Sequence, residues 1–175
     1  MRNRTVRARR AEKAAPSLRL DAKLLPTAAR RPRRLGREER RPMLDATTCF
    51  DRGFLSELSP EDRLRLFERA RPMRFEDGED IVSAGDPAGD VFALIEGRAE
   101  VALYSQQGRL VLYRDILPGD IFGELAALDG GPRSTFVTAK GRVRLAALDE
   151  AAFESLLAEA PGIARALLRH LAAGV

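Results

Sequence analysis

The chain has 175 residues, enough for one ordinary domain and a tail, and 45% of them are hydrophobic, so a sizeable core can be buried. It has no apolar run near about 18 residues, one cysteine and one histidine, which argues against a membrane span, an internal disulfide, a zinc site and a Cys–His nucleophile. The net charge of +4 combines +11 over residues 1–42, which hold 15 Lys+Arg and 4 Asp+Glu, with −7 over the remainder.

The basic part, residues 1–42, is arginine-rich and is interrupted by four prolines. Such a segment repels itself and buries little, so we predict that it is disordered. Its arginine clusters suit phosphate backbones; the alternatives are a solvated tail without a specific role, or a start chosen upstream of Met43. We therefore divide the chain into a basic arm, 1–42, and a domain, 43–175. The lone Cys49 and the absence of an apolar signal segment predict a cytoplasmic protein.

The domain begins with residues that favour helix over 44–71. Ser59 and Pro60, followed by two acidic residues, are typical of a helix start, with a capping hydroxyl, a first-position proline and acids in the first turn. Arg71-Pro72 is expected to end the helix, because a proline disfavours helical geometry in the residue before it.

Between residues 73 and 148 the hydrophobic period changes to two, and turn residues recur every few positions. This spacing predicts about eight short strands, which favours an eight-stranded jelly roll or barrel. The predicted strands start at Met73, Ile81, Val91, Ala99, Leu110, Ile116, Phe136 and Val143.

The most informative stretch, GDIFGELAALDGGPRSTFVTA, spans residues 119–139. Residues 125–128 suit one helical turn, residues 129–132 end it, and Arg133 is expected to begin a strand. The free N–H groups at the start of a helix attract anions, and Gly123 lets a ligand approach the backbone closely. Arg133 can hold a phosphate through two parallel hydrogen bonds, and Ser134 offers a hydroxyl beside it.

Glu124 does not fit a bare phosphate, because a carboxylate repels one. It fits a ligand that also carries hydroxyl groups, such as a ribose 2′-OH. The combination of Glu124 with Arg133 therefore predicts a nucleotide ligand. After the last strand, Asp149-Glu150 is expected to cap a helix over 151–158, and Pro161 to begin a final helix with an apolar stripe.

Taken in order, these elements resemble a cyclic nucleotide-binding domain, most closely that of the catabolite-activator (Crp/Fnr) group, over roughly residues 50–173. The matching positions are Gly78, Gly85-Asp86, Gly97, Pro118-Gly119-Asp120, Phe122-Gly123-Glu124-Leu125-Ala126 and Pro132-Arg133-Ser134. The resemblance implies an eight-stranded jelly roll with one N-terminal helical segment and two C-terminal helices.

The resemblance also implies a ligand, cyclic AMP or cyclic GMP, and a role for each site residue. Glu124 would accept a hydrogen bond from the ribose 2′-OH, and Arg133 would pair with the cyclic phosphate. Ser134 and the backbone N–H groups from Gly123 through Leu125 to Ala126 would complete the phosphate cradle. Binding would shift the two C-terminal helices and so control an effector protein.

Some features depart from the transcriptional members of that group. The last helix is short and the chain stops at Val175, so we expect neither a helix-turn-helix nor the usual base-reading positions, and the oligomeric state is left open. No catalytic group, metal site or cofactor is predicted. Two alternatives remain: a transcription regulator that acts on DNA through the arm or a partner, and a degenerate domain used for protein contacts, in which Arg133 forms a structural ion pair, for instance with Glu124.

Overall fold

The computed structural model describes residues 33–34, 49–104 and 110–173. Its strands are β1 (Arg33–Arg34), β2 (Arg71–Phe75), β3 (Asp80–Val82), β4 (Val91–Tyr104), β5 (Leu110–Ile116), β6 (Ile121–Phe122) and β7 (Phe136–Leu148). Its helices are α1 (Gly53–Ser56), α2 (Pro60–Arg69), α3 (Glu124–Asp129), α4 (Glu150–Glu159) and α5 (Pro161–Ala173).

The long strands β4 and β7 form the centre of an antiparallel sheet. They pair along almost their full length, from Val91 opposite Leu148 to Ala102 opposite Phe136. Strands β2 and β3 join β7, while β5 and β6 join β4, so that the main path runs β1-β2-β7-β4-β5. The described residues thus form the predicted jelly roll with flanking helices, as an open path of strands and not as a closed barrel.

Three pairs of the predicted strands run together as single bent strands. The sequence predicts a turn at Glu96-Gly97, but β4 continues through both residues, and its register against β7 shifts there. Gly97 has a φ of +93°, and a Cβ at this position would collide with the carbonyl oxygen of Arg142 on β7. The glycine therefore marks a bulge that bends a continuous strand, not the end of one.

Two hydrophobic cores lie on opposite sides of the bent sheet. One core fills the jelly roll with residues such as Phe75, Leu94 and Val143. The other joins the helices to the sheet, and Phe54 of α1, Phe153 of α4 and their neighbours are fully buried there. Every helix of the described domain contributes to the second core, including the short α3. The sheet therefore has the jelly-roll interior on one side and the helical layer on the other.

The predicted helix boundaries hold where caps are present. The Ser59 hydroxyl accepts a hydrogen bond from the Asp62 N–H at 3.1 Å to cap α2, and the Asp149 carboxylate caps α4 through the Ala152 N–H at 2.8 Å. The helical prediction for 44–71 is too long, because residues 49–52 are not helical and residues 57–59 separate α1 from α2. Residues 44–48 lie outside the described part.

The predicted disorder of the basic arm also falls on residues that the structure does not describe, with one exception. Arg33–Arg34 form β1, which pairs with β2 at Met73 and Arg74. The sequence did not predict this strand. For the other residues of 1–42, disorder stays a prediction.

Candidate functional site

A cavity of about 150 Å³ opens between α3, the segment before β7, and the inner faces of the strands. All six residues that the sequence assigns to the site line it, although they come from two separate segments of the chain. The lining consists of Val82, Val101, Arg114, Phe122, Gly123, Glu124, Leu125, Ala126, Arg133, Ser134, Thr135 and Val137. The cavity is therefore the candidate ligand site.

The first wall of the cavity is the start of α3, which confirms the predicted helical turn. Gly123 is its N-cap and has a left-handed φ of +84°. Glu124 and Ala126 follow in the helix and are buried, whereas Leu125 is 55% exposed at the mouth. The first N–H groups of a helix have no partner inside it. This wall combines such donors with the carboxylate of Glu124.

The second wall is an extended segment that ends in Arg133, Ser134 and Thr135. The sequence predicts that a strand begins at Arg133, but β7 begins at Phe136. The reason is that the backbone of Arg133 is engaged elsewhere: its N–H donates to the Asp86 carbonyl at 2.8 Å, and its carbonyl accepts from the Gly85 N–H at 2.9 Å. The turn at 84–86 thus fixes Arg133 before the strand starts.

The guanidinium of Arg133 is held from behind by two backbone carbonyls. Its Nη1 donates to the Gly123 carbonyl at 2.9 Å, and its Nη2 donates to the Asp90 carbonyl at 2.6 Å. A Cβ on Gly123 would lie 2.7 Å from Nη1 and 3.1 Å from the Asp90 carbonyl oxygen. Only glycine therefore leaves room for this arrangement.

The charge of Arg133 lacks a direct counterion within the described part of the chain. Arg133 is 8% exposed and Glu124 is 7% exposed, yet neither forms an ion pair with any residue that the structure describes. Burial lowers the pKa of the Arg133 guanidinium, and the nearby carboxylates of Asp90, Asp86 and Glu124 raise it only in part. A buried cation without a salt bridge is costly unless an anion completes it.

Arg133 also retains donor capacity for such an anion. A guanidinium carries five N–H donors. Two of them bond the carbonyls of Gly123 and Asp90, and the other three bond no residue in the described ranges. The structural ion pair between Arg133 and Glu124, which the sequence left open, is absent from this arrangement.

The part of the lining that lies outside the 119–139 stretch was not predicted. Val82 and Val101 join Phe122 and Val137 of that stretch in an apolar wall, and the exposed Arg114 on β5 adds a second cation. Val82, Val101 and Arg114 lie within strands, where the alternation of residues carries no sign of a site. Thr135, which is not among the six residues assigned to the site from the sequence, also lines the cavity.

Neither a metal-binding cluster nor a membrane-spanning helix is found among the described residues. No group of three or more His, Cys, Asp or Glu side chains is arranged to hold a metal ion among them. No helix that the structure describes is both long enough and apolar enough to cross a bilayer.

Comparison with known proteins gives three findings. The chain is 31% identical over 120 residues to a CRP-like cAMP-activated global transcriptional regulator of Mycobacterium tuberculosis. The match covers 69% of this chain and 54% of the relative. It is also 38% identical over 112 residues to a cAMP-dependent protein kinase regulatory subunit of Emericella nidulans. That match covers 63% of this chain and 26% of the relative. The structure of the Thermus thermophilus catabolite activator protein is similar, with a TM-score of 0.63 at 26% sequence identity. The match covers 68% of this chain and 56% of that protein's chain.

The chain therefore spans about half of the mycobacterial regulator and a quarter of the kinase subunit. The family model for the cyclic nucleotide-binding domain matches residues 72–160, which is just over half of the chain and includes the cavity with Glu124 and Arg133. The resemblance inferred from the sequence is thereby confirmed. The chain belongs to the cyclic nucleotide-binding domain family.

Proposed function

We propose that this chain is a regulatory sensor that binds a cyclic nucleotide, cyclic AMP in the first place, in the cavity between α3 and the Arg133 segment. The observation that carries the proposal is the buried guanidinium of Arg133, which faces this cavity without an ion-pair partner among the described residues. A cyclic phosphate supplies one negative charge and oxygen acceptors in a compact group, which matches that cation.

Glu124 gives the ligand its second attachment point. Its buried carboxylate lines the same cavity and receives no hydrogen bond from a described side chain. A carboxylate accepts hydrogen bonds only, so it suits the ribose 2′-OH. Ser134 and the N–H groups of Gly123, Leu125 and Ala126 are proposed to bind the phosphate oxygens, and the apolar walls to hold the base.

Helix α3 connects ligand binding to the rest of the domain. Ala126 faces the cavity, while the next residue, Ala127, is packed in the helical core with Phe54 of α1 and Phe153 of α4. In this proposal, a ligand that draws the start of α3 toward its phosphate disturbs the core to which Ala127 and residues of α1, α4 and α5 contribute. The ligand shifts the equilibrium between two arrangements of these helices toward the arrangement that it binds more tightly.

The consequence is a switch that acts on an effector protein through the helical layer. In this proposal the domain binds and signals in the cytoplasm without catalysing a reaction and without a cofactor. The relatives include a transcriptional regulator and a kinase regulatory subunit, so the effector is open between these classes. Contact with DNA through residues 1–42 is the alternative, and deletion of those residues tests it by loss of salt-dependent DNA binding.

Thermal unfolding with and without nucleotide tests the proposal. A ligand that binds only the folded state at about a hundred times its Kd stabilises it by ~2.7 kcal/mol, which raises Tm by several degrees. We expect this shift with cyclic AMP or cyclic GMP and a much smaller one with non-cyclic 5′-AMP. Equal Tm values with and without both cyclic nucleotides favour the degenerate domain used for protein contacts.

A further inference from the structure

A second arginine, Arg71, binds the same residue that holds Arg133. Nη2 of Arg71 donates to Oδ2 of Asp90 at 2.5 Å. The carbonyl of the same Asp90 accepts from Nη2 of Arg133 at 2.6 Å. One aspartate thus receives two arginines, one on its carboxylate and one on its backbone.

The sheet explains how Arg71 reaches this position. Arg71 begins β2 and lies opposite Ala147 of β7, while Asp90 directly precedes Val91, which lies opposite Leu148 of β7. Arg71 and Asp90 therefore stand two strands apart, with β7 between them. Two strand spacings amount to about 10 Å, a gap that an extended arginine side chain bridges with help from an aspartate. Both side chains are only partly exposed.

The charge balance of Arg133 depends on what the Asp90 carboxylate does. Asp90 is held next to Arg133 by its own carbonyl, so rotation of its side chain would bring a full negative charge to the guanidinium. Among the carboxylates near Arg133, that of Asp90 has the largest influence on its pKa. An ion pair of this kind would occupy the donors that an anionic ligand needs.

We propose that Arg71 is a positioning residue for the ligand site: it binds the Asp90 carboxylate and so keeps it off Arg133, which stays available to an anion. The proposal rests on the proposed function, because it assigns to Arg71 a part in binding the cyclic phosphate. Arg71 itself does not line the cavity.

If Arg71 and Arg133 compete for the Asp90 carboxylate, a second substitution at Asp90 should restore the nucleotide affinity that a substitution at Arg71 lowers. In Arg71→Gln the released Asp90 carboxylate pairs with Arg133, and affinity for the cyclic nucleotide falls about tenfold, the factor that one charge-assisted hydrogen bond corresponds to. Adding Asp90→Asn removes the competing charge, and the double variant regains affinity to within about threefold of the wild type. Arg71→Lys keeps the cation and is expected to bind like the wild type.

The matched control is Arg144→Gln, which breaks the 2.7 Å ion pair between Arg144 and Glu96 on the same sheet, away from the cavity. We expect this variant to bind like the wild type. If Arg71→Gln binds like the wild type, or if the double variant is as weak as Arg71→Gln, Arg71 does not act by holding Asp90 and the inference is wrong.

A measurement without ligand separates this inference from the proposed function. In the ¹⁵N spectrum of arginine side chains, the Nε–H signal of Arg133 is identified by its loss in Arg133→Lys. We expect Arg71→Gln to shift this signal and to slow its exchange with water, and Asp90→Asn to reverse both changes. If the wild type binds no cyclic nucleotide, the proposed function fails, and this spectrum still decides whether Arg71 controls the pairing of Arg133; an unchanged signal overturns the inference.

Discussion

Glu124 and Arg133 carry opposite charges, lie buried against one cavity, and do not form an ion pair with each other. Arg133 is instead held by the carbonyls of Gly123 and Asp90. Two buried charges kept apart cost free energy, since neither desolvation is offset by direct pairing. A ligand with an anionic group for Arg133 and a hydroxyl group for Glu124 offsets that cost.

Replacing Arg133 with Gln is expected to weaken cyclic nucleotide binding by ~3 kcal/mol, roughly a hundredfold in Kd, because it removes a buried charge-assisted contact. Fluorescence competition against a labelled cyclic nucleotide measures the change. The exposed Arg142, which is not part of the cavity lining, provides the control: Arg142→Gln should leave Kd unchanged. An affinity of Arg133→Gln within threefold of the wild type contradicts the assigned role.

Glu124→Gln is expected to weaken binding of the ribonucleotide about tenfold, because the amide is a poorer acceptor for the 2′-OH than the carboxylate. The same variant should bind the 2′-deoxy analogue as well as the wild type does, because that ligand has no such hydroxyl to donate. The difference between the two ligands, measured by titration in both proteins, isolates the contact. Equal losses for both ligands would mean that Glu124 acts on the fold or on the phosphate.

Gly123→Ala combines two costs at one position. The left-handed φ of +84° makes alanine unfavourable by about 1–2 kcal/mol, and the new Cβ would also displace Nη1 of Arg133. Gly130→Ala is the matched control, since Gly130 has a φ of +67° at the other end of α3 and nothing within 4 Å of an added Cβ. We expect both variants to lose stability in urea unfolding, and only Gly123→Ala to lose nucleotide affinity at a concentration where both are folded. Equal binding by the two variants contradicts the role of the glycine.

Arg114 adds a cation to the cavity wall but is exposed to solvent. An exposed charge is screened over about 10 Å at 0.1 M salt, so Arg114→Gln should weaken binding only about threefold at low salt and less at high salt. The measurement is Kd at two salt concentrations for cyclic AMP and cyclic GMP. A guanine base accepts two hydrogen bonds from an arginine, so a larger loss for cyclic GMP indicates a contact with the base. A loss that does not change with salt argues against the electrostatic role.

The local motif at 119–139 could be predicted from the sequence because its physical requirements are local. A helix start, a close backbone approach at Gly123 and an arginine ten residues after Glu124 are fixed by neighbouring residues, and the structure brings them together. The boundary at Arg133 was missed because its backbone bonds the turn at 84–86, nearly fifty residues earlier in the chain. That partner leaves no mark on the sequence around Arg133.

The sequence predicted a jelly roll of short strands, but it did not predict where each strand ends or which strands pair. Glu96-Gly97 reads as a turn from local propensity, and only the register of β4 against β7 reveals the bulge. Long-range pairing also produces the features of the site that the sequence missed, namely the arrival of Arg114 in the cavity wall and the bond between Arg71 and Asp90. Each depends on which strand lies next to which, and periodicity within a strand does not encode that order.

Calorimetric titration of the intact chain with cyclic AMP, and separately with cyclic GMP, tests whether the cavity binds a cyclic nucleotide. We expect one site per chain with a Kd of about micromolar or tighter for at least one of them. We also expect this binding heat to disappear, over the same concentration range, in Arg133→Gln. A folded wild-type chain that gives no binding heat and no rise in Tm with either nucleotide, or an Arg133→Gln variant that binds with undiminished affinity, would contradict these expectations.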